Sequence, residues 1–232
     1  MKPTVVLVHG AMHTPWVFGP LSDRLTARGV DSHAVQLPSS HPDSALTQGL
    51  TEDVAVMRAA VDSLQGPVVL AAHSYGGVPA TWAAAETDQV AELVYMAAFA
   101  LEPGTSMLEW MGGDFPPDWI HSPDGLAVKA GDVEQAVFSG VDPDLTAQAV
   151  ERLNWQGMRA FTEPLGAAPA STPLTYIVAT EDPSLPPAVQ EQWAARAAHS
   201  VHVASGHSPH LSHPDDVAAV LADAVARAAE RA

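Results

Sequence analysis

The chain has 232 residues, 47% of them hydrophobic, with 27 acidic side chains against 10 basic ones, a formal net charge of −17 and no cysteine. Length and apolar content suit one globular domain over residues 1–232; the charge repels phosphate backbones and anionic lipid, which argues against nucleic-acid or membrane-surface binding and for a neutral small-molecule substrate. The lack of cysteine excludes disulfides, thiolate metal sites and a thiol nucleophile.

The N-terminus, Met1-Lys2-Pro3, runs straight into a short apolar stretch with no signal-peptide pattern, and no apolar run approaches a membrane span. A soluble, cytoplasmic protein is expected, with a homodimer left open. In chain order, the first apolar run is Thr4–Val8, followed by a helical pattern at 16–28 closed by Gly29. A second run at 30–36 precedes a helical pattern at 45–64 closed by Gly66. The run at 67–72 leads into a helix at 75–86, and the next run is 90–98. After a long interruption come Leu174–Ala179, a helix at 187–198 and a weaker run at 200–204. A final helix over about 214–229 has Ser212 and His213 as cap candidates, Pro214 at its first position, and Asp215 and Asp216 in its first turn. The runs are nearly continuous in apolar residues, as strands covered on both faces are. The order predicts an α/β fold, a doubly wound, mainly parallel six-stranded sheet with helices on both faces.

The interruption, residues 103–169, shows no clear strand and mixes prolines, glycines and acids with Met107, Trp110, Met111, Phe115, Trp119, Phe138, Trp155, Met158 and Phe161. It is too long for a connection and too apolar for a disordered linker. A small, mostly helical cap inserted after the fourth strand is expected. Most of its aromatics would fasten the cap to the sheet, and some would wall a substrate pocket, with Trp110, Trp119 and Trp155 as candidates beside Met107, Met111 and Met158. His13 is a further pocket candidate.

Four patterns carry chemistry. Val8-His9-Gly10-Ala11 ends the first strand, where the backbone N–H of Ala11 is placed to meet a developing oxyanion; His9 needs no chemical role. Ala72-His73-Ser74-Tyr75-Gly76-Gly77 follows a strand and opens a helix. That is a nucleophile elbow around Ser74, with Ala72 where glycine is usual, and the N–H of Tyr75 supplies a second oxyanion donor. Asp182, after Leu174–Ala179, is the acid candidate, with Glu102 after the fourth strand as a rival and Glu181 one residue early. In Gly206-His207-Ser208-Pro209-His210-Leu211-Ser212-His213, His207 lies nearest the last strand and is the general-base candidate. His210 and His213 compete with it. The histidine spacing also suits a metal cluster, but no acid or further histidine completes one, so neither metal nor cofactor is expected. His199 and His202 read as exposed or structural.

The order Ser, Asp, His is that of α/β hydrolases, and the chain resembles that superfamily over essentially its whole length. The resembling stretches are Val6 through His13 with Trp16, His73 through Gly77, Leu93 through Phe99, Tyr176 through Asp182, and Gly206-His207-Ser208-Pro209 followed by Pro214. It is most similar to the compact branch of bacterial esterases, plant esterases of small-hormone methyl esters, and plant hydroxynitrile lyases. The resemblance implies Asp182 over Glu102 and His207 over its neighbours. It also speaks against a lyase. Those lyases carry threonine where this chain has Gly10, and a cyanide-holding lysine where it has Ser208. A serine hydrolase of a small neutral ester or lactone is expected. The same triad acting on a thioester, amide or carbon–carbon bond, or a non-catalytic small-molecule binder of this fold, are the alternatives.

Overall fold

The computed structural model describes residues 1–231. The chain opens with β1 (Thr4–Val8), α1 (Gly19–Ala27) and β2 (Ser32–Val35). A two-residue strand β3 (Ser40–His41) and α2 (Leu50–Asp62) lead to β4 (Val68–His73), α3 (Gly77–Ala85) and β5 (Val90–Met96). The next segment holds α4 (Met107–Trp110), β6 (Ile120–His121), β7 (Ala127–Lys129), α5 (Val133–Val137), α6 (Pro143–Glu151), β8 (Trp155–Gly157) and α7 (Met158–Thr162). The chain returns through β9 (Leu174–Ala179), α8 (Pro187–Ala194), β10 (His199–Val203), α9 (Pro209–Ser212) and α10 (Pro214–Arg231). Among the described residues no helix is long and apolar enough to cross a membrane.

Six strands pair in the order β2-β1-β4-β5-β9-β10, every pair parallel. The chain runs from β1 out to the edge strand β2 and returns to β4 on the other side. Val8 therefore pairs with both Val35 and Ala72. This reversal of strand order opens a crevice at the C-terminal sheet edge, where α/β sheets bind ligands. Strand side chains alternate between the faces. Val5 and Leu7 join a core with Leu21 and Leu25 of α1 and Val217 and Leu221 of α10. Val6 and Val8 join the opposite core with Leu50 and Met57 of α2, Val78 of α3 and Trp193 of α8. Both faces are covered, which is why the central strands carry no polar alternation. The edge strand β10 is instead exposed at four of its five residues.

The expected helix at 45–64 is broken. Its first residues form a 3-10 turn, Ser44–Leu46, with Asp43 accepting from the Ala45 N–H. α2 then starts afresh, with Glu52 accepting from the Gly49 N–H at 2.9 Å. Glu52 thus satisfies an N–H at the helix start with its side chain, which favours a new helix start over continuation.

The cap also departs from expectation. It contains the helices α4 to α7, but β6, β7 and β8 join β3 in an antiparallel sheet of order β3-β8-β7-β6. Strands of two or three residues are too short to leave a readable period. Their anchor, the pairing of Ser40 with Gln156, joins residues half the chain's length apart.

Candidate active site

β4 delivers Ser74 to the C-terminal edge of the sheet. Ser74 has φ +52°, in the left-handed region that costs an L-residue energy unless its surroundings over-determine it. Here they do. The Phe99 N–H donates to the Ser74 carbonyl (3.1 Å), and the turn Ser74–Gly76 presses close to the end of β1. A Cβ on Gly76 would lie 2.6 Å from the His9 oxygen and 2.8 Å from that of Val8, so only glycine fits there. Ala72 is fully buried in the core, where its methyl is accommodated.

The loops after β9 and β10 complete the arrangement. His207 Nε2 lies 2.9 Å from Ser74 Oγ, and its Nδ1 lies 2.7 Å from Asp182 Oδ2. All three residues are buried. Asp182 is held in place. Its Oδ1 accepts from the Ser184 and Leu185 N–H groups (2.8 and 2.9 Å), and its Oδ2 also accepts from Gln190 Nε2 (2.9 Å). Gln190 in turn accepts from the Ala179 N–H at the end of β9 (2.9 Å) and donates to the Leu185 carbonyl (2.7 Å). Sequence reading did not single out Gln190, since a glutamine one helical turn into α8 carries no signature.

The rivals take other places. Glu102 is exposed and pairs with Arg196 at the surface. His213 contacts Ser212 Oγ (2.9 Å) at the end of α9. His210 is fully buried between His73 and Phe18, at centroid distances of 4.4 and 5.1 Å. Burial drives its pKa well below the ordinary histidine value, aided by the neighbouring His13. His73 is likewise held neutral by burial, and its Nε2 contacts the His207 carbonyl at 2.8 Å, which fixes the backbone of His207. His9 accepts the Leu37 N–H on Nε2 (3.1 Å) and faces the Gly10 carbonyl with Nδ1 (2.8 Å), so it ties the loop after β1 to the segment after β2. Burial lowers its pKa to about 3. His202 is exposed and contacts Glu191; His199 is exposed. Among the described residues no group of three or more His, Cys, Asp or Glu is placed to hold a metal ion.

The loop after β1 lies against the elbow. A Cβ on Gly10 would be 3.0 Å from Ser74 Cβ and from His73 Nδ1, so a threonine here would have to displace one of them. Ala11 follows immediately. Tyr75 is in the first turn after Ser74, where helical N–H groups have no intrahelical acceptor.

A cavity of about 350 Å³ opens over Ser74 and His207. Ala11, His13, Trp110, Trp119, Phe99 and Phe161 are among its walls, and no Asp, Glu, Lys or Arg lines it. Met107 and Met111 also line it, whereas Met158 and Trp155 do not. Trp155, expected at the pocket, instead lies under the ammonium of Lys129 (4.8 Å to the ring centroid). Its place on β8 follows from pairing with β3, which the sequence pattern did not reveal. The cap aromatics both line and fasten. Trp110 meets Phe99 and Trp193 (5.0 and 5.8 Å), and Phe161 meets Trp119 and Tyr75 (5.5 and 5.8 Å).

Comparison with known proteins places this arrangement. The profile of the alpha/beta hydrolase family matches residues 5–220. An alpha/beta hydrolase of Aspergillus novofumigatus, nvfD, is 27% identical over 99% of each chain. A pyrethroid hydrolase of Sphingobium wenxiniae is 27% identical over 94% of this chain and 86% of its own. The crystal structure of a methylesterase from Arabidopsis superposes with a TM-score of 0.83 at 23% identity, covering 97% of this chain and 99% of that one. The chain belongs to the alpha/beta hydrolase family and is a hydrolase built on that fold.

Proposed function

We propose that the chain hydrolyses a small, neutral, largely apolar carboxylic ester through an acyl-enzyme on Ser74. The observation that carries this reading is the 2.9 Å contact of Ser74 Oγ with His207 Nε2 at the floor of a cavity without charged walls. With Nδ1–H directed at Asp182, Nε2 keeps its lone pair for the serine proton. Ser74 Oγ attacks the acyl carbon as His207 takes that proton. The oxyanion meets the N–H groups of Ala11 and Tyr75. His207 then gives its proton to the departing alkoxide. Water, deprotonated by His207, attacks the acyl-enzyme, releases the acid and restores Ser74.

The cavity supports the substrate class. Its aromatic and methionine walls favour apolar groups, and a charged acyl or alcohol group would lose its hydration there without a partner. A panel of neutral acyl esters, lactones and thioesters, run beside a fluorophosphonate probe, tests the reading. Turnover of uncharged esters with probe labelling at Ser74 is expected. A protein that binds apolar ligands but neither turns over esters nor labels would be a binder instead. Faster turnover of thioesters or lactones would move the leaving group.

A further inference from the structure

Outside the residues discussed so far, a fully buried carboxylate, Asp53 of α2, sits beneath the nucleophile elbow. Its Oδ2 accepts from Tyr75 Oη (2.7 Å) and from Ser39 Oγ (2.6 Å), and its Oδ1 accepts from the Ser39 N–H (2.9 Å). Ser39 Oγ accepts from Gln156 Nε2 (2.8 Å). Gln156 Oε1 accepts from the Met12 N–H (2.8 Å). Tyr75, Ser39 and Gln156 are buried as completely as Asp53, and Met12 nearly so. The two ends of this chain are the two backbone segments assigned to the oxyanion. Tyr75 follows Ser74 directly, and Met12 follows Ala11 directly.

We propose that Tyr75–Asp53–Ser39–Gln156–Met12 is a positioning network that holds the two oxyanion donors at a fixed separation, with Gln156 of the cap strand β8 as its link to the loop after β1. The inference rests on the hydrolytic reading above. Three features support it. First, Met12 has φ +67°, a backbone state that needs external restraint in a non-glycine residue. The cap supplies that restraint on both sides of the residue, through Gln156 on its N–H and the Asn154 N–H on its carbonyl (2.8 Å). Second, both polar atoms of the Gln156 side chain are bonded, and neither of those bonds serves the pairing of β8 with its neighbours. Third, burial pushes the Asp53 carboxyl up to about 7, against its bonds to Ser39 and Tyr75. A core apolar residue would avoid that cost, so the carboxylate marks a position where directed acceptors matter more than stability. The cap thereby becomes part of the catalytic frame as well as the wall of the pocket.

A donor displaced by a fraction of an ångström weakens only states that carry an oxyanion, and leaves ground-state binding alone. The test uses Tyr75→Phe and Gln156→Met, alone and combined, in the full chain. The readouts are kcat and KM for a neutral aryl ester, the inhibition constant of an aryl trifluoromethyl ketone, and Tm. That ketone adds to the serine and places its oxygen in the oxyanion site. Each single variant should lower kcat about tenfold, less than the roughly hundredfold or more that deleting an oxyanion donor costs. KM should stay within about twofold, and the ketone should weaken in step with kcat/KM. The double variant should be little worse than the worse single one, because both act through one chain of bonds. Gln156→Glu, which keeps an acceptor for the Met12 N–H, should retain more of kcat than Gln156→Met. Should Gln156→Met fail to fold, Tyr75→Phe, which deletes one oxygen, still decides. Unchanged kcat and ketone affinity, losses that multiply in the double variant, or a lower Tm with no selective loss of the ketone would overturn the proposal. A parent protein that neither hydrolyses esters nor takes up the ketone sinks the hydrolytic reading along with it; an active parent with unaffected variants sinks the network alone.

Discussion

The two walls of the crevice are built differently. On the sheet side, β1 and β4 are fully buried over Val5–Val8 and Val68–Ala72, pair in register and are covered on both faces. The loops leaving them, which carry Ala11 and Ser74, inherit that rigidity, and Asp182 and His207, on the loops after β9 and β10, are themselves buried. On the cap side, strands are two or three residues long, Ile120 and Leu126 are exposed, and Trp110 is 38% exposed while lining the cavity. Local stability follows buried contacts, so the cap wall is the more deformable one. Bond-making chemistry needs sub-ångström placement and belongs on the stiff wall, whereas substrate selection tolerates a wall that adjusts. If this division is right, substitutions on the sheet side change the rate for every substrate alike, and substitutions of the cap residues that line the cavity change the ranking of substrates.

The hardest test of the sheet side is Ser74→Ala, which should lower kcat about a millionfold with Tm unchanged and probe labelling lost. Near-normal turnover by that variant would remove the chemistry from the sheet. Asp182→Asn comes next, with kcat expected about ten-thousandfold lower, since the amide favours the wrong tautomer of His207. Glu102→Gln, at the surface beside Arg196, should stay within about twofold, the range of a weak exposed ion pair; the opposite ranking would move the acid to the loop after β5.

The cap side is tested by Trp110→Ala and Trp119→Ala across a series of acyl chain lengths. Each methylene that loses its buried contact should cost about 0.8 kcal/mol, or about fourfold in kcat/KM. Long and short esters should therefore diverge. Trp155→Ala, outside the cavity, should scale all substrates by one factor. Uniform scaling by all three would make the cap aromatics fasteners only.

The smallest effect is on stability and concerns the histidines at the C-terminal edge of the sheet. His9 and His13 are lowered from 6.5 to about 3 and about 4, chiefly by burial, and His73 and His210 well below 6.5 for the same reason. The unfolded chain binds protons on these groups that the folded chain refuses, so they cost stability as pH falls below about 6.5. Asp53 acts in the opposite sense. Raised from 3.8 to about 7, it holds a proton in the folded state that the unfolded state has released between those values, which adds stability as pH falls. Four imidazoles outweigh one carboxyl, so Tm should drop between pH 7 and pH 5. A rise in Tm over that range would show that these rings are not buried neutral.

Several features were legible in the linear chain because their causes are local. Uninterrupted apolar runs marked strands covered on both faces, and Leu174–Ala179 is a strand over those same residues. Ser74 between Ala72 and Gly76 reads as an elbow because the tight turn needs small residues on either side, whatever lies beyond. The last helix begins at Pro214, where its cap residues and first-turn acids foretell it. Other features were decided only by the folded chain. The cap's antiparallel sheet depends on β3 meeting β8, whose sequences hold too few residues for any period. Trp155 was indistinguishable from Trp110 and Trp119 until that pairing set it beneath the ammonium of Lys129. Gln190 behind Asp182, and Asp53, Ser39 and Gln156 behind the loops after β1 and β4, had no signature because each is an ordinary polar residue made significant only by the partners that the fold turns toward it. Backbone turns and burial are written in neighbouring residues; a hydrogen-bonded network is written in distances between remote ones, and those exist only once the sheet and the cap have closed on each other.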